Sequence, residues 1–116
     1  MAVFSMWFRS SGTNSRMITG FEIVKEANVI RLVPDKFPDE SNMKQFVFEL
    51  SDELGISIGE IEDSADLSIA SCHINEHLFF LKISWLTDDI WLELNQAVFD
   101  SSELKVLVNR LKQKML

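Results

Sequence analysis

The sequence is poor in the residues that staple, gate or cleave. It has one cysteine, Cys72, so no internal disulfide can form, and a lone thiol fits a reducing compartment. Tyrosine is absent, and the two histidines and many serines show no spacing that makes a catalytic triad. No glycine-rich phosphate loop, G-x-S-x-G elbow or Walker motif is present. No apolar run approaches the roughly 18 residues that span a bilayer. The N-terminus lacks the basic start and long apolar stretch of a signal peptide. These absences lead us to expect a cytoplasmic protein that is not an enzyme and holds no cofactor.

Positive charge is missing where it would be most informative. From Gln45 to Leu81 there is no Lys or Arg, while Glu49, Asp52, Glu53, Glu60, Glu62, Asp63, Asp66 and Glu76 all fall in that stretch. The net charge is −7. Such a field repels phosphate backbones and anionic lipid, so neither nucleic acid nor membrane is an expected partner. A basic protein is, although the same acids also serve to keep a small domain soluble.

The 116 residues are 47% apolar, enough for one domain with a real core. Residues 20–116 read as that domain. Residues 1–19 read as an N-terminal arm or extension, with Trp7 in an apolar cluster from Val3 to Phe8, then a linker from Ser10 to Ser15.

Period-two alternation organises the rest. Leu78 to Asn95 predicts a β-hairpin whose inner face carries Phe79, Leu81, Ile83 and Trp85, then Ile90, Leu92 and Leu94. A four-residue loop, Thr87 to Ile90, places Trp85 opposite Leu92 and Ile83 opposite Leu94. Phe21 to Val33 predicts a first hairpin turning at Ala27-Asn28. Asp66 to Ile74 predicts a strand joined to the main hairpin through Asn75-Glu76, with Cys72 facing Phe79 and Ala70 facing Leu81. Ile56 to Asp63 also begins to alternate, but Gly59 interrupts it, which suggests a loop or short edge strand.

Two helices are expected. Asp39 to Leu54 carries Met43, Phe46, Val47, Leu50 and Leu54 in one stripe, with Asp39 as N-cap and Gly55 as the stop. The last helix follows Phe99, with Asp100 as its cap, Glu103 completing a capping box, and Phe99 stapled on Leu104. Its stripe is Leu104, Leu107, Val108, Leu111 and Met115. The expected fold is therefore α+β, a two-layer domain in the order β-β-α-β-β-β-α. Its five-stranded, mostly antiparallel sheet carries both helices on one face.

Three clusters resemble sites and read more simply. In Cys72-His73-x-x-x-His77 the strand-and-turn context points the two histidines to opposite sides, so no metal set forms. Cys72 reads as a small core residue. Glu60, Glu62, Asp63 and Asp66 lack the oxygen ladder and central glycine of a calcium loop. Asp88 and Asp89 sit at a hairpin tip in water.

The sharper feature is apolar. A sheet with helices on one side leaves its other face bare. That face is expected to carry Leu67, Ile69, Phe80, Leu86 and Trp91, and tryptophan is enriched in interface cores. We expect these residues, with Trp7 of the arm, to form an interface, most simply between two copies of the chain. In general character the chain is similar to the short acidic α+β proteins found among bacterial immunity and inhibitor proteins and among orphan products of mobile gene cassettes. The likeness is one of composition and transfers no residues. The expected function is a non-enzymatic interaction or inhibitor-like module acting as a homodimer, with a basic protein as a further expected partner. The alternative is a small-molecule binding module with a pocket lined by Trp85, Trp91 and Phe80.

Overall fold

The computed structural model describes residues 17–114. Trp7 and the other residues of the arm up to residue 16, together with Met115, lie outside the described residues. Six strands form one sheet: β1 (Ile18–Val24), β2 (Val29–Pro34), β3 (Ser57–Asp63), β4 (Leu67–Ile74), β5 (His77–Ser84) and β6 (Asp89–Glu93). Three helices complete the described chain: α1 (Met43–Leu54), a single turn α2 (Gln96–Phe99), and α3 (Ser102–Lys114). Strand β1 opens at Ile18, so Ile18 and Thr19 belong to the sheet rather than to an arm.

The strand order is β1-β2-β6-β5-β4-β3, and every neighbouring pair is antiparallel. The β3–β6 meander thus joins the β1–β2 hairpin through β2 and β6. Counting reversals along that order makes β2 and β3 parallel, with α1 crossing between them at opposite sides of the sheet.

The inner face and the helices share one core. Phe79, Leu81, Ile83, Ile90, Leu92, Ile30 and Leu32 come from the strands; Met43, Leu50, Leu54, Leu107 and Leu111 come from α1 and α3. The fold is the expected two-layer α+β domain. The sixth strand is the one whose sequence alternates imperfectly.

Its irregularity has a local cause. Ile58 pairs with Cys72 and Ile61 with Ala70, so β3 takes three steps where β4 takes two. That bulge lets both isoleucines face the core. A Cβ on Gly59 would sit 2.6 Å from Ser71 Oγ. The same hydroxyl accepts the Glu60 N–H at 2.8 Å. A side chain at position 59 would have to displace this serine hydroxyl and its hydrogen bond.

The first hairpin keeps its expected faces but not its turn: Val24 pairs with Val29, so a four-residue loop, Lys25 to Asn28, stands where a two-residue turn at Ala27-Asn28 was expected. Phe21 lies opposite Leu32 and Ile23 opposite Ile30, and Asn28 is left-handed at φ 55°. The β4–β5 register is the expected one. The β5–β6 loop is not. Ile83 pairs with Ile90 and Leu81 with Leu92, so the four-residue loop is Trp85 to Asp88, two residues earlier than expected. The shift is even, so every side chain keeps its face. Asp88, at φ 56°, supplies the left-handed residue that closes the loop.

Trp85 leaves the strand as a result and packs on the core from the loop. Its indole N–H donates to Ser68 Oγ at 2.9 Å, its backbone N–H donates to the Asp66 carbonyl at 2.9 Å, and its ring meets Phe37 edge-on at 5.7 Å. Ser68 in turn donates to the Asp63 carboxylate. One buried hydroxyl therefore ties the β5–β6 loop to the β3–β4 turn.

The caps are partly rearranged. Asp39 accepts from the N–H groups of Ser41 and Asn42, and Asn42 accepts reciprocally from Asp39, so this cap stands. A 3₁₀ turn at Glu40–Asn42 precedes α1, and Gly55 ends it at φ 67°. Asp100 is not the cap of the last helix. The chain makes the extra turn α2, capped by Asn95, whose side chain accepts from the Val98 N–H at 2.9 Å. Ser101 Oγ then accepts from the Glu103 N–H at 3.2 Å. Asp100 instead accepts from Gln96, and Glu103 leaves the expected capping box to meet His77 at 3.1 Å and Asn75 at 3.1 Å.

Candidate functional site: the outer face of the sheet

No described residue covers the face of the sheet opposite the helices. Register places its side chains in rows across the strands. One row reads Glu62, Ile69, Lys82, Trp91, Arg31, Glu22 from β3 to β1. The next carries Ser71, Phe80, Glu93, Val29 and Val24. Phe80 is thus a diagonal neighbour of both Ile69 and Trp91, close enough for aromatic contact across a sheet.

Ile69, Phe80 and Trp91 are half-buried and contiguous. Leu67 is also half-buried, but it pairs with Ser84 at one end of the face. Leu86 is in the β5–β6 loop and 75% exposed, so it is not part of the strip.

Charges interleave with the apolar residues. Lys82 Nζ donates to Glu93 at 2.9 Å, and the Trp91 indole N–H reaches the other Glu93 oxygen at 3.4 Å. The lysine hydrogen bond holds the Glu93 carboxyl below its ordinary pKa. Arg31 donates to Asp89 at 3.0 Å and lies 3.5 Å from Glu22. The Asp89 carboxyl is likewise held low, first by the Thr87 hydroxyl and then by Arg31. Trp91 therefore sits between two cations, each matched to a carboxylate. Glu60 and Glu62 differ, since neither has an ion-pair partner among the described residues.

Two depressions flank β6. One, of about 250 Å³, has Ile69 and Phe80 in its floor and Glu60, Glu62, Lys82 and Glu93 around it. The other, of about 270 Å³, is lined by Val24, Ala27 and Val29 with Arg31, Asp89 and Trp91.

Both sheet edges are interrupted. Thr19 forms an irregularity at the start of β1, and its hydroxyl donates to the Val33 carbonyl at 3.2 Å. The β3 edge carries the Gly59-Glu60 bulge and three carboxylates, Glu60, Glu62 and Asp63. Bulges and charges of this kind discourage strand-to-strand association.

The other clusters stay apart. Cys72 is fully buried, and burial pushes its thiol up to about 12. His73 is exposed on the outer side while His77 pairs with Glu103. No group of three or more His, Cys, Asp or Glu side chains among the described residues is placed to hold a metal ion. No helix among them is long and apolar enough to cross a membrane. The three aromatics expected to share a pocket are split: Trp85 belongs to the inner layer, and Phe80 and Trp91 to the outer face.

Sequence reasoning found Ile69, Phe80 and Trp91 but missed Arg31 and the Glu60–Glu62 pair as their neighbours. Joining them requires β2 beside β6 and β3 beside β4. Only the second pairing had a sequence signal, the interrupted alternation around Gly59. Comparison with family models, curated proteins and solved structures finds no match to this chain.

Proposed function

We propose that the chain is a non-enzymatic protein-interaction module, of the inhibitor or immunity kind, that engages its partner through the outer face of the sheet. The observation that carries this reading is the contiguous half-buried group Ile69, Phe80 and Trp91 on a face that no described residue covers. An aromatic-rich apolar group set among paired charges fits an interaction surface. The interrupted edges favour the face over strand addition as the route of association.

Self-association through this face, expected from the sequence, meets an electrostatic obstacle. The strands present five carboxylates, Glu22, Glu60, Glu62, Asp89 and Glu93, against two cations, Arg31 and Lys82. Two such faces repel, and a partner of opposite sign is the better fit. The small-molecule alternative is weakened by the split of Trp85 from Phe80 and Trp91. Both depressions are also smaller than the roughly 300–1,000 Å³ of typical ligand pockets.

The test is affinity capture from the source cell by wild type and by Trp91→Asp, with sedimentation of both. A basic protein held by wild type, released by salt and lost with Trp91→Asp supports the proposal. A partner retained equally by the folded variant overturns it. A stable wild-type dimer broken by Trp91→Asp would assign the face to a second copy instead.

A further inference from the structure

We infer that the occupant of the outer face is an extended basic segment that crosses the strands with two anchors, an arginine in the Glu60–Glu62 depression and an apolar side chain in the Val24–Val29 depression. This rests on the reading of the outer face as an interaction surface and adds the chemistry and spacing of what binds there.

The first depression is built for a long side chain with an apolar stem and a cationic end. Ile69 and Phe80 offer the stem a floor, and the carboxylates of Glu60 and Glu62 stand at the rim without a cation of their own among the described residues. Lys82 already serves Glu93, so the residual negative charge lies on the β3 side. A planar guanidinium fits better than an ammonium, because it can stack on Phe80 while its fork reaches a carboxylate.

The second depression is different in kind. Val24, Ala27 and Val29 make an apolar surface, with Trp91 as one wall, and its charged residues Arg31 and Asp89 already satisfy each other at 3.0 Å. It takes an apolar group and offers no unmatched charge.

The first depression spans β3 to β6 and the second spans β6 to β1. Their centres are about two and a half strand spacings apart, roughly 12 Å at ~4.8 Å per strand. An extended segment advancing ~3.3 Å per residue covers that in about four residues. Residues four apart on such a segment point to the same side, so both anchors face the sheet.

The experiment is an amide NMR titration of the full chain with a capped peptide, acetyl-Ser-Arg-Ser-Gly-Ser-Leu-Ser-amide. Saturable shifts at Ile69, Ser71 and Phe80 together with Val24 and Val29 are expected. Citrulline in place of arginine should weaken binding about ten-fold, as should the exposed double variant Glu60→Gln/Glu62→Gln. Serine in place of leucine should remove the shifts at Val24 and Val29. Moving leucine next to arginine should uncouple the two sites.

Shifts that follow peptide charge alone, or gather on the acids of α1, overturn the inference. So do equal affinities for arginine and citrulline, or shifts that wild type shows on its own concentration series at the same residues. If partner capture is lost with Trp91→Asp while the peptide fails, the two-anchor assignment falls and the interaction reading stands. If the peptide binds as described while capture is indifferent to Trp91→Asp, the broader reading falls and the subsite remains.

Discussion

The guanidinium of Arg110 donates to the carbonyl of Leu54 at 2.7 Å and to that of Gly55 at 3.2 Å. Helix α3 thereby closes the end of α1, whose last carbonyls have no partners within their own helix. Arg110→Ala should lower the unfolding free energy by about 1.5 kcal/mol, as expected for a charged donor lost from a partly buried acceptor. Urea titration with an unchanged m-value would confirm it, and an unchanged midpoint would refute it.

Gly55 answers to the same arginine. Its φ is 67°, and a Cβ there would lie 2.6 Å from Arg110 Nη1. Gly55→Ala should cost about 1 kcal/mol for the left-handed backbone alone, plus the displacement of the guanidinium. The second part should vanish in an Arg110→Ala background. A double-mutant cycle checks this, and additivity within ~0.4 kcal/mol would show that the contact carries no energy.

The caps of the C-terminal helices can be ranked. Ser101→Ala and Asn95→Ala should each cost about 1 kcal/mol, because each removes a side-chain acceptor from a helix-start N–H. Asp100→Ala should cost less than either, since its contact is with the exposed Gln96 side chain. Thermal midpoints of the three variants decide the order.

Two tryptophans should respond unequally to the same change. Trp85→Phe forfeits the indole bond to buried Ser68 and should cost at least about 1 kcal/mol. Trp91→Phe loses only a long contact to Glu93 on the outer face and should stay within ~0.5 kcal/mol. Equal losses would mean that the two rings do not divide between layers.

Acid should weaken the outer face at its paired carboxylates. Glu93 and Asp89 have folded-state pKa values below their ordinary 4.5 and 3.8. A depressed carboxylate stabilises the fold fully above its unfolded value, and that stability is lost as pH falls through the folded value. Stability should therefore decline as pH drops below about 4.5. Glu93→Gln should flatten part of that decline, and Lys82→Met should reduce the part due to Glu93. A pH series of urea midpoints that the two substitutions leave parallel to wild type would contradict it.

Side-chain faces were legible in the sequence because period two survives even-numbered errors. The β5–β6 loop lies two residues earlier than alternation suggested, yet Ile83 and Ile90 still share the core face. The cap of α3 was less legible, because Asn95 and Ser101 both suit a helix start and the chain uses both. Strand β3 was obscured by its bulge: Ile58 and Ile61 break alternation to reach the same core. The candidate site was half legible. Its apolar members declare themselves by being on the wrong face, but Arg31 arrives only through the distant β2–β6 pairing, and Glu60 and Glu62 only through the bulged β3.

One such pairing governs how the protein can be made. Val29 meets Glu93, 64 residues later, and no other strand fills that side of β2. During synthesis the first hairpin must wait, with an open edge, until the sixth strand has left the ribosome. A chain cut or stalled before Asp89, where β6 begins, would not yield a smaller working domain. It would yield two incomplete sheets, each exposing strands able to pair with a stranger.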